Sequence, residues 1–152
     1  REEFSPHQEI ERVLTDSAEI FGKGGIRCSS VLDTALRVTG DPSKFYRLVM
    51  NIVTNAVDAM RECERKELRV SLSEELGTIR LQITDTGKGI SPEHISQVFE
   101  PFFSTKSAQE GTGIGLAITK EIVEDEFMGT ISVESVEGKG TKMTVTVPHV
   151  HK

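Results

Sequence analysis

Residues 45–62 carry two stripes of side chains that an α-helix places on opposite faces. The first stripe is apolar and consists of Phe45, Leu48, Val49, Ile52, Val53, Ala56, Val57 and Met60. This spacing is typical of an amphipathic helix packed on a hydrophobic core. The second stripe is polar and consists of Arg47, Asn51, Asn55, Asp58 and Glu62. The chain therefore has to build a core against one face of this helix and leave the other face for solvent or for a ligand.

The two asparagines favour a ligand. Asn51 and Asn55 lie one helical turn apart, at positions where Lys or Glu would form a better helix. Neutral amide oxygens beside Asp58 suit a hard cation that phosphates also hold, such as Mg²⁺. The alternative is a solvated face, which the helix alone does not exclude.

Glycine-rich segments follow this helix in order. The five motifs of the chain are NIVTNAVDA at 51–59, DTGKGI at 85–90, FEPFFSTK at 99–106, GTGIGLA at 111–117 and GKGT at 138–141. None has the spacing of a P-loop or of a dinucleotide-binding fingerprint. Together they resemble the ATP-binding catalytic domain of sensor histidine kinases, from the superfamily that includes type II topoisomerases, ninety-kilodalton heat-shock chaperones and mismatch-repair ATPases.

The resemblance implies an α+β fold. We expect a two-layer α/β sandwich, with a mixed sheet of about five strands covered on one face by three helices. The whole chain, 1–152, would be one catalytic domain. Residues 1–39 would supply an N-terminal helix and the first strands, and residues 40–148 would form the core that bears the motifs. An acceptor-histidine domain is not expected within the chain.

The resemblance also assigns roles to individual residues. Asn51 and Lys106 would be catalytic, and Asn55 would hold Mg²⁺. The residues expected to contact ATP are Asn51, Asn55, Ala59, Asp85, Gly87, Gly89, Ile90, Lys106, Gly111, Thr112, Gly113, Ile114, Gly115, Leu116 and Thr141. Asp85 would accept a hydrogen bond from the amine of adenine, although an aspartate here can also stabilise its own turn. Lys106 would reach the γ-phosphate, with a solvent-exposed lysine as the alternative.

Asn51 favours phosphoryl transfer over hydrolysis. Hydrolytic members of the superfamily carry a glutamate at this position as a general base, and an amide cannot accept a proton at neutral pH. We therefore expect the γ-phosphoryl to go to a histidine on a separate acceptor-helix domain, which then phosphorylates a response regulator. Three alternatives remain: a serine kinase, an ATP-hydrolysing switch and a nucleotide sensor without catalysis. Asp58 departs from many kinases of this type, which have a lysine there.

Composition limits the partners. A net charge of −6 argues against nonspecific nucleic-acid binding. No apolar segment approaches the length of a membrane span, so we expect no membrane contact by this domain. Cys28 and Cys63 lack the paired spacing of a metal site and fit a reducing, cytoplasmic compartment. The expected partners are the acceptor-helix domain of the same kinase, through which it would dimerise, and a receiver domain.

Local signals predict the elements around the motifs. Ser5-Pro6 predicts the start of a helix that ends at Gly22, and His7 on it lacks the neighbours of a phospho-acceptor. Alternating residues predict two hairpins, within 68–83 and 131–147. Ser91-Pro92-Glu93 predicts a short helix, and one or more of the phenylalanines between 99 and 103 should be core. Glu126-Phe127-Met128-Gly129 replaces the glycine pair usual in the family and is one residue longer, so its connection is left unpredicted. Because the chain starts with Arg1, we expect it to be a piece of a longer protein.

Overall fold

A mixed sheet forms one layer of the molecule. The computed structural model describes residues 2–100 and 115–150. The strands are β1 (Glu2–Phe4), β2 (Arg27–Leu32), β3 (Val38–Gly40), β4 (Glu67–Glu75), β5 (Thr78–Asp85), β6 (Thr130–Val136) and β7 (Gly140–Pro148). Five of them form a sheet in the order β2-β4-β5-β7-β6, in which β2 runs parallel to β4 and the other pairs are antiparallel. Strands β1 and β3 form a separate antiparallel pair.

Helices cover one face of this sheet. They are α1 (Pro6–Asp16), α2 (Ala18–Gly24), α3 (Pro42–Met60) and α4 (Gly115–Glu121), and α4 continues into a π-helical turn at Ile122–Glu126. The longest, α3, starts where Asp41 caps it by accepting from the backbone N–H of Ser43 at 2.9 Å. Its apolar stripe is buried against β5 and β7 on one side and against α1 on the other.

The alternation of apolar and polar residues along the strands determines which face of the sheet the helices cover. The inward residues of the three central strands are buried, among them Leu68, Val70, Leu72, Ile79, Leu81, Ile83, Met143, Val145 and Val147. The residues between them are polar or charged and face the open side. Because a strand points successive side chains to opposite faces, this pattern gives the sheet one buried face and one solvent-exposed face. The predicted two-layer α+β sandwich is confirmed.

The N-terminal region differs from the prediction. The single helix expected up to Gly22 is two helices, since the chain bends at Ser17, whose backbone N–H still donates to Val13. Strand β1 was not predicted, and it places Phe4 in the core. The predicted helix after Ser91 is only a turn followed by the 3₁₀ segment Ile95–Gln97, and Ser91 Oγ hydrogen-bonds to His94 Nδ1 instead.

The irregular connection before β6 is a π-helical turn. It buries Phe127, whose ring meets those of Phe4 and Phe45 edge-on at centroid distances of 6.2 and 5.6 Å. Met128 follows in the left-handed region with φ 55°, and the N–H of Gly129 donates to the carbonyl of Val123 at 2.9 Å. The last helical turn is thus wider than an α-helical turn.

Within the described residues, no helix is long and apolar enough to cross a membrane.

Candidate functional site

The polar stripe of α3 faces another helix. Asn51 and Asn55 are both half-buried, with Ile52 and Ala56 buried beside them. The Nδ2 of Asn51 lies 3.3 Å from the Oγ1 of Thr119 and donates to it; Thr119 is on α4 and has no exposed surface. Since Asn51 contacts a buried residue of another element, its part of the stripe is not simply a solvated face.

Asp58, about one turn after Asn55 on α3, has a positively charged side chain beside it. Asp58 Oδ1 accepts from Nη2 of Arg61 at 2.7 Å, and the Asp58 side chain is 17% exposed. The arginine follows the last residue of α3. A positive group therefore stands next to the position where many kinases of this type place a lysine.

The turn after β5 crosses closely over the end of α3. The N–H of Lys88 donates to the carbonyl of Ala59 at 2.9 Å. A side chain at Gly87 would place its Cβ 2.7 Å from that same carbonyl oxygen. Glycine is required at 87 because the backbone of the helix occupies the space of a side chain.

The other side of the turn is held by the β6–β7 hairpin. The carbonyl of Lys88 accepts from the N–H of Gly138 at 2.7 Å. Gly89 has φ 73°, and a Cβ there would lie 2.3 Å from the carbonyl oxygen of Val136. The N–H of Ile90 donates to Ser135 Oγ at 2.8 Å. The turn is therefore fixed from both sides, between a helix and a hairpin.

Asp85 lies at the centre of this arrangement. Its side chain is buried, and Oδ1 accepts from the N–H of Gly87 at 2.8 Å. Burial raises the pKa of Asp85 to about 6, and hydrogen bonds from the backbone N–H groups of Gly87 and Thr141 limit that rise. A carboxylate that is costly to ionise, in a loop of closely packed glycines, is typical of a functional site rather than of a surface turn.

Ser135, which the sequence did not single out, links the β6–β7 hairpin to the turn after β5. Ser135 Oγ donates to the carbonyl of Gly140 at 2.9 Å, accepts from Ile90 and lies 2.8 Å from Oγ1 of Thr141. Thr141 is buried and lies opposite Asp85 in the β5–β7 ladder. The sequence predicted the hairpin but not its register, which pairs Ser135 with Thr141 across the strands.

Several predicted residues lie outside the described part of the chain. These are Lys106, Gly111, Thr112, Gly113 and Ile114, together with Phe102 and Phe103. Of the phosphate-loop motif, Gly115 begins α4 and Leu116 packs against the core. Phe99 also packs against the core, as expected for one of the phenylalanines. The structure brings Asn51, Asn55 and Ala59 onto one helix, and fastens Asp85, Gly87, Gly89, Ile90 and Thr141 around its end.

The side-chain oxygens on α3 fit Mg²⁺ only if phosphate oxygens and water supply the remaining ligands. Residues 2–100 and 115–150 contain no cluster of three His, Cys, Asp or Glu that could hold a metal by themselves. Two amides one turn apart can supply oxygen ligands, and Mg²⁺ commonly completes its shell with phosphate oxygens and water. The residues present fit a cation that arrives with a nucleotide.

Comparison with known proteins places this geometry in a family. Residues 40–151 match the histidine kinase-, DNA gyrase B-, and HSP90-like ATPases. The chain belongs to this family. The predicted resemblance to the catalytic domain of sensor histidine kinases is confirmed by relatives of that name.

Two curated relatives illustrate the match. The sensor histidine kinase ZraS of Escherichia coli K12 is 37% identical over 116 residues, which are 76% of this chain and 24% of that protein. The sensor protein kinase WalK of Staphylococcus aureus is 37% identical over 112 residues, 71% of this chain and 27% of that protein. The chain thus spans about a quarter of the length of these relatives.

Solved structures agree with the fold over almost the entire chain. The catalytic domain of the histidine kinase ThkA superposes with a TM-score of 0.84 at 29% identity, covering 96% of this chain and 93% of that one. The mycobacterial sensor histidine kinase MprB gives 0.82 at 27% identity, with 99% of both chains covered. ThkA has also been solved in complex with the response regulator protein TrrA, where it matches with a TM-score of 0.81 at 26% identity, covering 97% of this chain and 41% of that one.

Proposed function

We propose that this chain binds Mg-ATP and transfers the γ-phosphoryl group to a histidine on a separate acceptor-helix domain, which then phosphorylates a response regulator. The observation that carries the proposal is the buried carboxylate of Asp85, fixed between the end of α3 and the β6–β7 hairpin. The family supports an ATP ligand, and the names of the relatives support the kinase activity.

Asp85 would recognise the adenine base of ATP. A buried carboxylate accepts strongly from an N–H group, which adenine offers at its exocyclic amine. Guanine presents a carbonyl at the same position, so two acceptors would face each other without a proton. The hydroxyl of Thr141, across the ladder from Asp85, would add a second polar contact. Gly87 and Gly89 support this role because they let the turn after Asp85 pack closely against the end of α3 and the β6–β7 hairpin.

The phosphates would lie along the amide stripe of α3. Asn55 would give an oxygen to Mg²⁺, and Asn51 would face the reacting end of the nucleotide. When bound, Mg²⁺ neutralises charge on the phosphates. Lys106 and the glycines between 111 and 115 would complete the phosphate contacts.

Transfer rather than hydrolysis is supported by Asn51. An amide cannot remove a proton from water, and a positioned general base is worth roughly 10²–10⁴-fold in rate. The structure of ThkA with a response regulator supports a receiver domain as the final partner. We further propose that the acceptor domain forms the dimer of the complete kinase and that this domain works in the cytoplasm.

The test is a transfer assay with radiolabelled ATP. The isolated chain should bind ATP, hydrolyse it very slowly and remain unlabelled. With the acceptor-helix domain of its own kinase, label should appear on that domain in an acid-labile, alkali-stable linkage. Rapid phosphate release by the isolated chain would favour a hydrolytic switch, an acid-stable product a serine kinase, and binding without transfer a nucleotide sensor.

A further inference from the structure

Thr119 is a buried polar residue whose type needs an explanation. Its side chain has no exposed surface, and Ile118 and Ile122, one residue before it and three residues after it, pack against the hydrophobic core. A buried hydroxyl is costly unless it forms hydrogen bonds, whereas valine has nearly the same shape and carries no such cost. Packing alone would therefore favour valine at this position.

The hydroxyl contacts an amide of the proposed site. Asn51 Nδ2 lies 3.3 Å from Thr119 Oγ1 and donates to it across the contact between α3 and α4. An asparagine amide has a nitrogen end that only donates and an oxygen end that only accepts. In this structure the hydroxyl accepts from the nitrogen end, and this hydrogen bond leaves the oxygen end of the amide for other partners.

We propose that Thr119 is a positioning residue that orients the Asn51 amide so that its oxygen, and not its NH₂ group, is presented to Mg²⁺. The proposal rests on the proposed function. An amide turned by 180° would present two donors instead of an acceptor to the cation.

Two variants separate orientation from packing. Thr119→Val keeps the shape and removes the acceptor, while Thr119→Ser keeps the hydroxyl and removes the methyl group. Thr119→Val should weaken Mg-ATP binding about three- to tenfold, the equivalent of one hydrogen bond. Its affinity for adenosine, which lacks phosphates, should stay unchanged. Thr119→Ser should bind Mg-ATP like the parent chain.

A spectroscopic measurement tests the contact without nucleotide. The side-chain NH₂ resonances of Asn51, assigned by their loss in Asn51→Ser, should shift in Thr119→Val and stay in place in Thr119→Ser. Unshifted resonances in Thr119→Val would overturn the proposal, and so would unchanged Mg-ATP affinity in that variant. An equal loss of affinity in both variants would assign the effect to the methyl group and also overturn it. If the parent chain itself does not bind Mg-ATP, the proposed function fails, and the resonances still report on the contact.

Discussion

At the scale of single residues, Asp85 combines two properties that oppose each other. Burial makes its ionised form costly and raises its pKa to about 6, yet the proposed contact with adenine requires the ionised form near neutral pH. The backbone N–H groups of Gly87 and Thr141 reduce the cost without removing it. Functional sites commonly keep such a residue at the expense of stability.

Asp85→Asn should lose most ATP affinity. The amide keeps the size of the side chain but replaces a charged acceptor, and a lost charge-assisted hydrogen bond costs about 1.5–3 kcal/mol, or roughly ten- to a hundredfold in affinity. Isothermal titration calorimetry measures the change. The matched control is Asp125→Asn, at an exposed aspartate of the π-helical turn, which should bind like the parent. Unchanged binding by Asp85→Asn would remove this residue from the nucleotide site.

The pH dependence of stability provides a second prediction. With a pKa of about 6 when folded and an ordinary value near 3.8 when unfolded, Asp85 binds more protons in the folded chain between these values. The free energy of unfolding should therefore fall as pH rises through this window. Relative to Asp85→Asn, which does not titrate, the parent should lose about 2 kcal/mol between pH 4.5 and 7.5, as measured by denaturant titration. A constant difference between the two chains would mean that the pKa is not raised.

The site residues that the sequence predicted lie either on the helix α3 or within glycine-rich motifs. Asp85, Gly87 and Gly89 stand in one short segment, where glycine spacing signals close backbone contact. Ser135 and Thr119 were not singled out, because each lies in an ordinary strand or helix pattern. Their role depends on which residue of another element lies opposite, and spacing along the chain does not contain that information.

At the scale of elements, the site is a junction of three of them. The end of α3, the turn after β5 and the β6–β7 hairpin meet through backbone hydrogen bonds at Ala59, Lys88 and Gly138. Glycine allows the separations at this junction, because a Cβ at 87 or 89 would overlap with backbone atoms that cannot move independently.

Gly87→Ala tests this close approach. A Cβ only 2.7 Å from the carbonyl oxygen of Ala59 has to push the turn away from the helix, and overpacking of this kind costs about 1–3 kcal/mol. ATP affinity should fall as well, since Asp85 precedes the displaced turn. Gly22→Ala is the control: it lies within α2 with open space around it and should be neutral or slightly stabilising. If both variants unfold at the same denaturant concentration as the parent, the contact has no energetic role.

The elements themselves were predicted unevenly, for physical reasons. Alternation identified both hairpins because each has one buried face. Strand β1 has only three residues, too few to show a period, and forms by pairing with β3. The bend at Ser17 and the π-helical turn before Phe127 leave the helical spacing nearly intact, so sequence alone does not show them.

At the scale of the whole molecule, the first 39 residues are part of the core. The family match begins at residue 40, but α1 packs along α3, and Ile10 and Val13 are fully buried there. Phe4 from β1 completes an aromatic group with Phe45 and Phe127. Separate sequence regions therefore contribute to one hydrophobic core.

Phe4→Ala should show that this group stabilises the entire chain. Removing a buried phenylalanine typically costs 3–5 kcal/mol, and the unfolding midpoint should fall accordingly in a single transition. The control is Leu76→Ala at the tip of the β4–β5 hairpin, where the side chain is 98% exposed and the change should stay within about 0.5 kcal/mol. A midpoint that moves equally little in both variants would place β1 outside the cooperative core.

The raised pKa of Asp85 has a consequence for signalling. If the ionised carboxylate holds adenine, protons and nucleotide compete for one group, and each lowers the affinity of the other by the same factor. A fall in pH through 6 would then lower the affinity for ATP without any separate pH-sensing group. The same burial that raises the pKa of Asp85 would make the nucleotide site responsive to the acidity of its surroundings.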